Sequence, residues 1–122
     1  MKIDFSSEKP IYLQIMEEIE DAIFMGVFEE ETQIPSTTEI STGFKINPAT
    51  VLKGMNLLVE QGFIYKKRGL GMYVTSGAKR LITSKRKDDF YKHFINPMLK
   101  EAEKLNIEVA EIIQQIEGGH KN

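Results

Sequence analysis

The 122-residue chain has no cysteine and no tryptophan. Without thiols there are no disulfides, thiolate metal sites or cysteine nucleophiles, and the composition suits a reducing cytosol. No apolar run approaches the roughly 20 residues needed to cross a bilayer. Met1-Lys2-Ile3-Asp4 does not open a charged-then-apolar export signal. The chain is therefore expected in the cytoplasm, with no membrane partner. The only two histidines, His93 and His120, have no second ligand at helical spacing, so no zinc site is expected. The glutamates near the start lack a neighbouring nucleophile or base and read as a solvated face rather than as paired catalytic carboxylates. No cofactor and no enzyme activity are expected.

Charge is scarce only in the total. The net value is -2, yet residues 1–32 hold two lysines against nine acids, residues 33–88 hold ten Lys or Arg against three acids, and residues 89–122 hold four against six. A basic middle is the footprint that a phosphate backbone requires. An unevenly charged but merely solvated surface is the plainer reading of any single cluster.

Hydrophobic periodicity and punctuation divide the chain. Ile11, Ile15, Ile19 and Ile23 recur every four residues and predict an amphipathic helix over 10–25, with Glu17, Glu18, Glu20 and Asp21 opposite and Gly26 as the stop. Glu29-Glu30-Glu31 reads as a turn. Ser36-Thr37-Thr38-Glu39 has the form of a capping box and predicts a short helix to about Gly43. Asn47-Pro48 then starts another helix, with Val51, Met55, Leu58 and Val59 as its inner stripe and Gly62 as its end. Residues 63–68 and 72–75 read as two strands joined through Gly69-Leu70-Gly71. Beyond Ser76-Gly77, Phe90, Phe94, Met98, Ala102 and Leu105 recur at helical spacing, with Pro97 expected to kink or interrupt the segment. Asn106 can cap a last helix bearing Val109, Ile112, Ile113 and Ile116.

Three helices followed by a hairpin is the order of a winged helix-turn-helix, with Phe44-Lys45-Ile46 as the turn and the third helix destined for the major groove. The expected fold is mainly α (α+β): a winged helix-turn-helix with a two-stranded wing over 1–76, and a C-terminal helical hairpin over 77–122.

The first 75 residues resemble the DNA-binding domain of GntR-type bacterial transcription regulators. The resemblance is carried by Pro10-Ile11-Tyr12, Gln14, Ile15, Ile19, Ile23, Gly26, Ile34-Pro35-Ser36, Thr50-Val51, Leu58, Gly62, Ile64, Gly69, Gly71 and Val74. The short C-terminal part and the Asn47-Pro48 start are similar to the YtrA-like subgroup. The resemblance implies a dimerising helical appendage and a repressor, often encoded beside transporter genes. The chain departs from the family where Thr38, Pro48 and Leu52 replace frequent arginines and where Glu30-Glu31 replaces a proline-glycine linker. The usual guanine contacts of arginine, and hence a relative's operator, do not carry over.

Within that frame the candidate DNA-binding residues are Thr37, Thr38, Asn47, Ala49, Thr50, Lys53, Lys66, Lys67, Arg68, Gly69 and Gly71. A strand rather than a helix follows Gly71, which argues against a nucleotide-cradling loop. Lys66, Lys67 and Arg68 are then phosphate or minor-groove contacts. A lysine-protected edge strand explains the same residues without DNA. Lys53 is the leading candidate for direct base readout, Ala49 suits a thymine methyl and Thr50 a phosphate. A solvated lysine and a simple cap are the plain alternatives for Lys53 and Asn47. Thr37 and Thr38 could hold a phosphate at a helix start.

The C-terminal stripe of Phe90, Phe94, Met98, Leu99, Leu105, Val109, Ile112, Ile113 and Ile116 is too apolar for two exposed helices, and burial between two copies would cover it. Packing back on the winged helix is the other solution. The expected partners are a double-stranded DNA operator and a second copy of the chain. No small-molecule effector can be named, and the short arm offers little room for an enclosed pocket. A protein-interaction module built on a degenerate winged helix is the rival reading.

Overall fold

The computed structural model describes residues 1–121, with side chains to Gly119; His120, weighed above as a ligand, lies outside the described side chains. Two compact units are present, Met1–Thr83 and, from Ser84, the remainder.

In the first unit, α1 (Ile11–Phe24) buries Ile15, Ile19 and Ile23, spaced to share one helical face. Glu20, expected on the solvated side, is also buried. Gln14 is buried as well, and ties the N-terminal segment to α1. Its side-chain oxygen accepts from the Asp4 N–H at 2.8 Å, and its amide nitrogen donates to the carbonyls of Asp4 and Lys9, each at 2.9 Å.

α2 (Thr37–Phe44) starts from the full capping box: the Glu39 N–H donates to Ser36 Oγ at 3.0 Å, and the Ser36 N–H donates to the Glu39 carboxylate at 3.2 Å. It ends where Lys45 turns left-handed at φ 55°. α3 (Pro48–Glu60) starts from Asn47, whose Oδ1 accepts from the Ala49 N–H at 2.8 Å. Its inner face is Val51, Gly54, Met55 and Leu58. Val59, expected on that stripe, is exposed because it lies eight residues beyond Val51 and has rotated to the edge of the face. Gly54 is there for proximity: a Cβ at this position would stand 2.7 Å from the Tyr12 carbonyl oxygen, so α1 and α3 meet backbone to side-chain position.

Strands β1 (Ile64–Lys67) and β2 (Gly71–Val74) pair antiparallel, with Ile64 opposite Val74, Tyr65 opposite Tyr73, Lys66 opposite Met72 and Lys67 opposite Gly71. Ile64 and Val74 close the core beside Ile34, Ile40, Ile46 and Phe63. α4 (Ala78–Phe90) gives Ala78 and Ile82 to the same core, so the first unit extends past the boundary expected at residue 76.

In the second unit, α4 passes into a widened turn, Tyr91–Ile95, and then α5 (Asn96–Lys104). The Asn96 N–H donates to the Tyr91 carbonyl five residues back. The widened turn stands immediately before Pro97, which has no N–H to return to the preceding turn. The interruption expected around Pro97 takes the form of a change of helical register just ahead of it. Asn106, expected to start the last helix, instead ends α5: at φ 56° it occupies the left-handed position, and the Ile107 N–H reaches the Ala102 carbonyl at 2.9 Å. Asparagine tolerates that conformation better than other residues with a Cβ. α6 (Val109–Lys121) begins after Glu108 instead. Among the described side chains of this unit, only Ala102 is buried.

Candidate nucleic-acid interface

The wing is built around its turn. The Leu70 N–H donates to the Lys67 carbonyl at 2.9 Å, and Gly69, third residue of that turn, has φ 77°. This is the position of a type II turn that glycine fills without strain. Gly71 follows at φ 116° and opens β2. The glycines therefore connect two strands, and the arrangement is a hairpin tip rather than a phosphate-binding loop.

Strand alternation separates the basic residues of the wing. Tyr65, Lys67 and Tyr73 share the outer face, where the tyrosine rings lie 6.0 Å apart and Lys67 Nζ sits 4.6 Å from the Tyr73 ring centre. Lys66 faces the other way, opposite Met72, and Arg68 stands in the turn. All three cations are exposed. Among the described residues none of Lys45, Lys53, Lys66, Lys67 and Arg68 makes an ion pair, so their charge is available to a polyanion.

One residue not singled out from sequence, Gln33, shapes this tip. Gln33 forms a bridge with Tyr73, and its side-chain nitrogen donates to the Leu70 carbonyl. The same nitrogen stands 2.7 Å from where a Cβ on Gly71 would sit. Only its position between Glu31 and Ile34 in sequence could have suggested a role, and that carries no signal of a contact 37 residues away.

At the start of α2 the capping box uses Ser36 and Glu39, leaving the first-turn amides of Thr37 and Thr38 without an acceptor among the described residues. Thr38 is exposed and Thr37 half-buried. At the start of α3, Asn47 spends its oxygen on the cap and keeps its amide nitrogen, Ala49 is exposed, and Thr50 is half-buried. Lys53 lies one turn on, with Nζ 4.0 Å from the ring centre of Tyr12. Lys53 is exposed and at the same time lies on an aromatic face.

In the second unit Phe90, Phe94, Met98, Leu99, Leu105, Val109, Ile113 and Ile116 are all exposed and Ile112 is half-buried. Tyr91 and Ile107 extend the exposed apolar set beyond the expected residues. Phe90 meets Tyr91 edge-on and Phe94 at a tilt, with ring centres 5.9 and 5.7 Å apart. Among the described residues no group of His, Cys, Asp or Glu is placed to hold a metal ion, and no helix is long and apolar enough to cross a membrane.

A helix-turn-helix with a basic two-stranded wing defines a class of transcription regulators. Residues 11–74 match the model for bacterial regulatory proteins of the gntR family, and the chain belongs to that family. It is a transcription regulator, not an enzyme. It is 30% identical to the HTH-type transcriptional repressor YtrA of Bacillus subtilis, the match covering 100% of this chain and 98% of that one. A transcriptional regulator of the GntR family from Bacteroides thetaiotaomicron has the same fold at 39% identity and TM-score 0.77, covering 91% of this chain and 96% of the other. The structure of AraR(DBD) in complex with an operator is similar at 29% identity and TM-score 0.57, covering 62% of this chain and 96% of that one.

Proposed function

We propose that the protein is a homodimeric, sequence-specific repressor of the cytoplasm that binds an inverted-repeat operator in double-stranded DNA. The observation that carries the reading is the wing tip, where Lys66, Lys67 and Arg68 stand exposed and unpaired on the same compact unit as the open N-terminal turns of α2 and α3. The operator complex solved for AraR(DBD) supports the same use of the domain.

In this reading α3 enters the major groove. Lys53 reads a base edge after leaving Tyr12, Ala49 meets a thymine methyl, and Asn47 offers its free amide hydrogens. Thr37, Thr38 and Thr50 hold phosphates, while Lys66, Lys67, Arg68 and the close-approaching Gly69 and Gly71 grip the backbone or the minor groove. The exposed apolar residues from Phe90 to Ile116 are covered by a second copy. Two-fold symmetry then sets the α3 helices about 34 Å apart, one turn of the duplex.

Selection of bound fragments from a random duplex library at near-physiological salt tests this directly. An enriched inverted repeat is expected. Fragments with no common sequence would reduce the function to non-specific binding, and recovery of none would favour a protein-interaction module.

A further inference from the structure

The basic residues of the wing account for its attraction to a polyanion but not for the residue at its centre. Leu70 is 57% exposed, flanked by Gly69 and Gly71 with their positive φ. Leucine is not a favoured turn residue; Gly, Asn, Asp and Ser are. Both of its backbone groups are used inside the wing: the N–H goes to the Lys67 carbonyl, and the carbonyl accepts from the Gln33 side chain. Gln33 is fixed in turn by its bridge to Tyr73 and by the neighbouring Ile34 N–H, which donates to the Met72 carbonyl at 2.9 Å. The peptide is anchored, and only the isobutyl group is left to project.

An apolar side chain presented next to the unpaired cations Lys66, Lys67 and Arg68 fits a narrow crevice walled by phosphates and floored by base edges. We propose that Leu70 is an apolar wedge that enters the minor groove of the operator and opens a base step, with Gln33 as the residue that positions it. Minor-groove proteins use leucine in this way to unstack a step and bend the duplex. The inference rests on the DNA-binding reading above. It adds a sequence preference at the wing, because flexible pyrimidine–purine steps deform most easily.

The test uses the full-length protein, an operator duplex recovered by selection, and end-to-end energy transfer on that duplex to report its bend. Wild type is expected to shorten the end-to-end distance. Leu70→Ala should abolish the shortening and weaken binding roughly tenfold with the salt dependence unchanged, since no phosphate contact is lost. Leu70→Met should retain most of the bend. Gln33→Ala should reduce it, again without altering the salt dependence. Because Leu70 is exposed, its variants should melt with wild type.

Wild type that binds but does not bend the duplex, or Leu70→Ala that bends and binds as wild type does, would overturn the wedge while leaving DNA binding intact. Wild type that binds no duplex would overturn the DNA-binding reading and the wedge with it. Leu70-dependent binding only to phosphatidylglycerol vesicles would assign the tip to a membrane surface and overturn the wedge.

Discussion

Lys53 and Gly54 are adjacent on α3 and do opposite things. Lys53 lies over the Tyr12 ring, and Gly54 lets the Tyr12 carbonyl come within 2.7 Å of its missing Cβ. Gly54→Ala must therefore push α1 and α3 apart. We expect a loss of about 1–3 kcal/mol, read by calorimetry as a fall of roughly 4–8 °C per kcal/mol in a unit of this size. An unchanged Tm would mean that the two helices have room to spare. Lys53→Ala should leave folding alone and relax discrimination at one base position in each half-site by about 1–3 kcal/mol, seen by repeating the fragment selection. An unaltered sequence profile would remove Lys53 from the readout. Lys53 could be nominated from sequence because α3 has a clear start and period. Its stacking on Tyr12 could not, since the pair is brought together by the packing of two helices and neither residue carries a local signal for it.

The elements whose ends are marked by local chemistry were the legible ones. The capping box of α2, the Asn47-Pro48 start of α3 and the wing glycines all fall where they were expected, because each satisfies orphan amides or supplies a positive φ. Where the marker could serve either of two helices, sequence was ambiguous: Asn106 sits between α5 and α6 and closes the first rather than opening the second. Asn106→Val should destabilise the second unit by about 1–2 kcal/mol, because a β-branched residue is strained at positive φ, whereas Asn106→Gly should be neutral or slightly stabilising. Thermal unfolding of the two variants side by side checks the order. The left-handed Lys45 after α2 was equally invisible, as lysine has no preference for that conformation. At the wing, Arg68→Ala should weaken binding to every duplex alike and lessen the slope of log affinity against log salt by about 0.9. A slope that does not move would place Arg68 off the phosphates.

The two compact units divide the chemistry of the chain between them. The first holds a buried core and the unpaired cations of the wing; the second holds exposed aromatic and aliphatic side chains with Ala102 alone buried among those described. In the homodimer proposed above, a unit with so little interior of its own is stabilised by the second copy, so Ile113→Glu or Phe94→Glu should shift the protein from dimer to monomer at micromolar concentration. Light scattering on size-separated protein reads the mass directly, and a dimer that survives both changes would place the interface elsewhere. The existence of this apolar stripe was legible from its spacing. Its extension to Tyr91 and Ile107 was not, because Tyr91 opens the widened turn where the helical spacing changes and Ile107 lies between α5 and α6, outside any helical period.

Gln33 has a consequence for time as well as for geometry. By holding the Leu70 carbonyl, it fixes the tip of the wing during folding, so the conformational entropy of that loop has already been surrendered before any duplex arrives. Association should then need no slow rearrangement of the wing: a rapid-mixing trace should show one bimolecular phase whose rate rises linearly with DNA concentration and falls with salt. Removing the Gln33 amide should add a second, concentration-independent phase, the delay of a loop that must find its shape after it has touched its target.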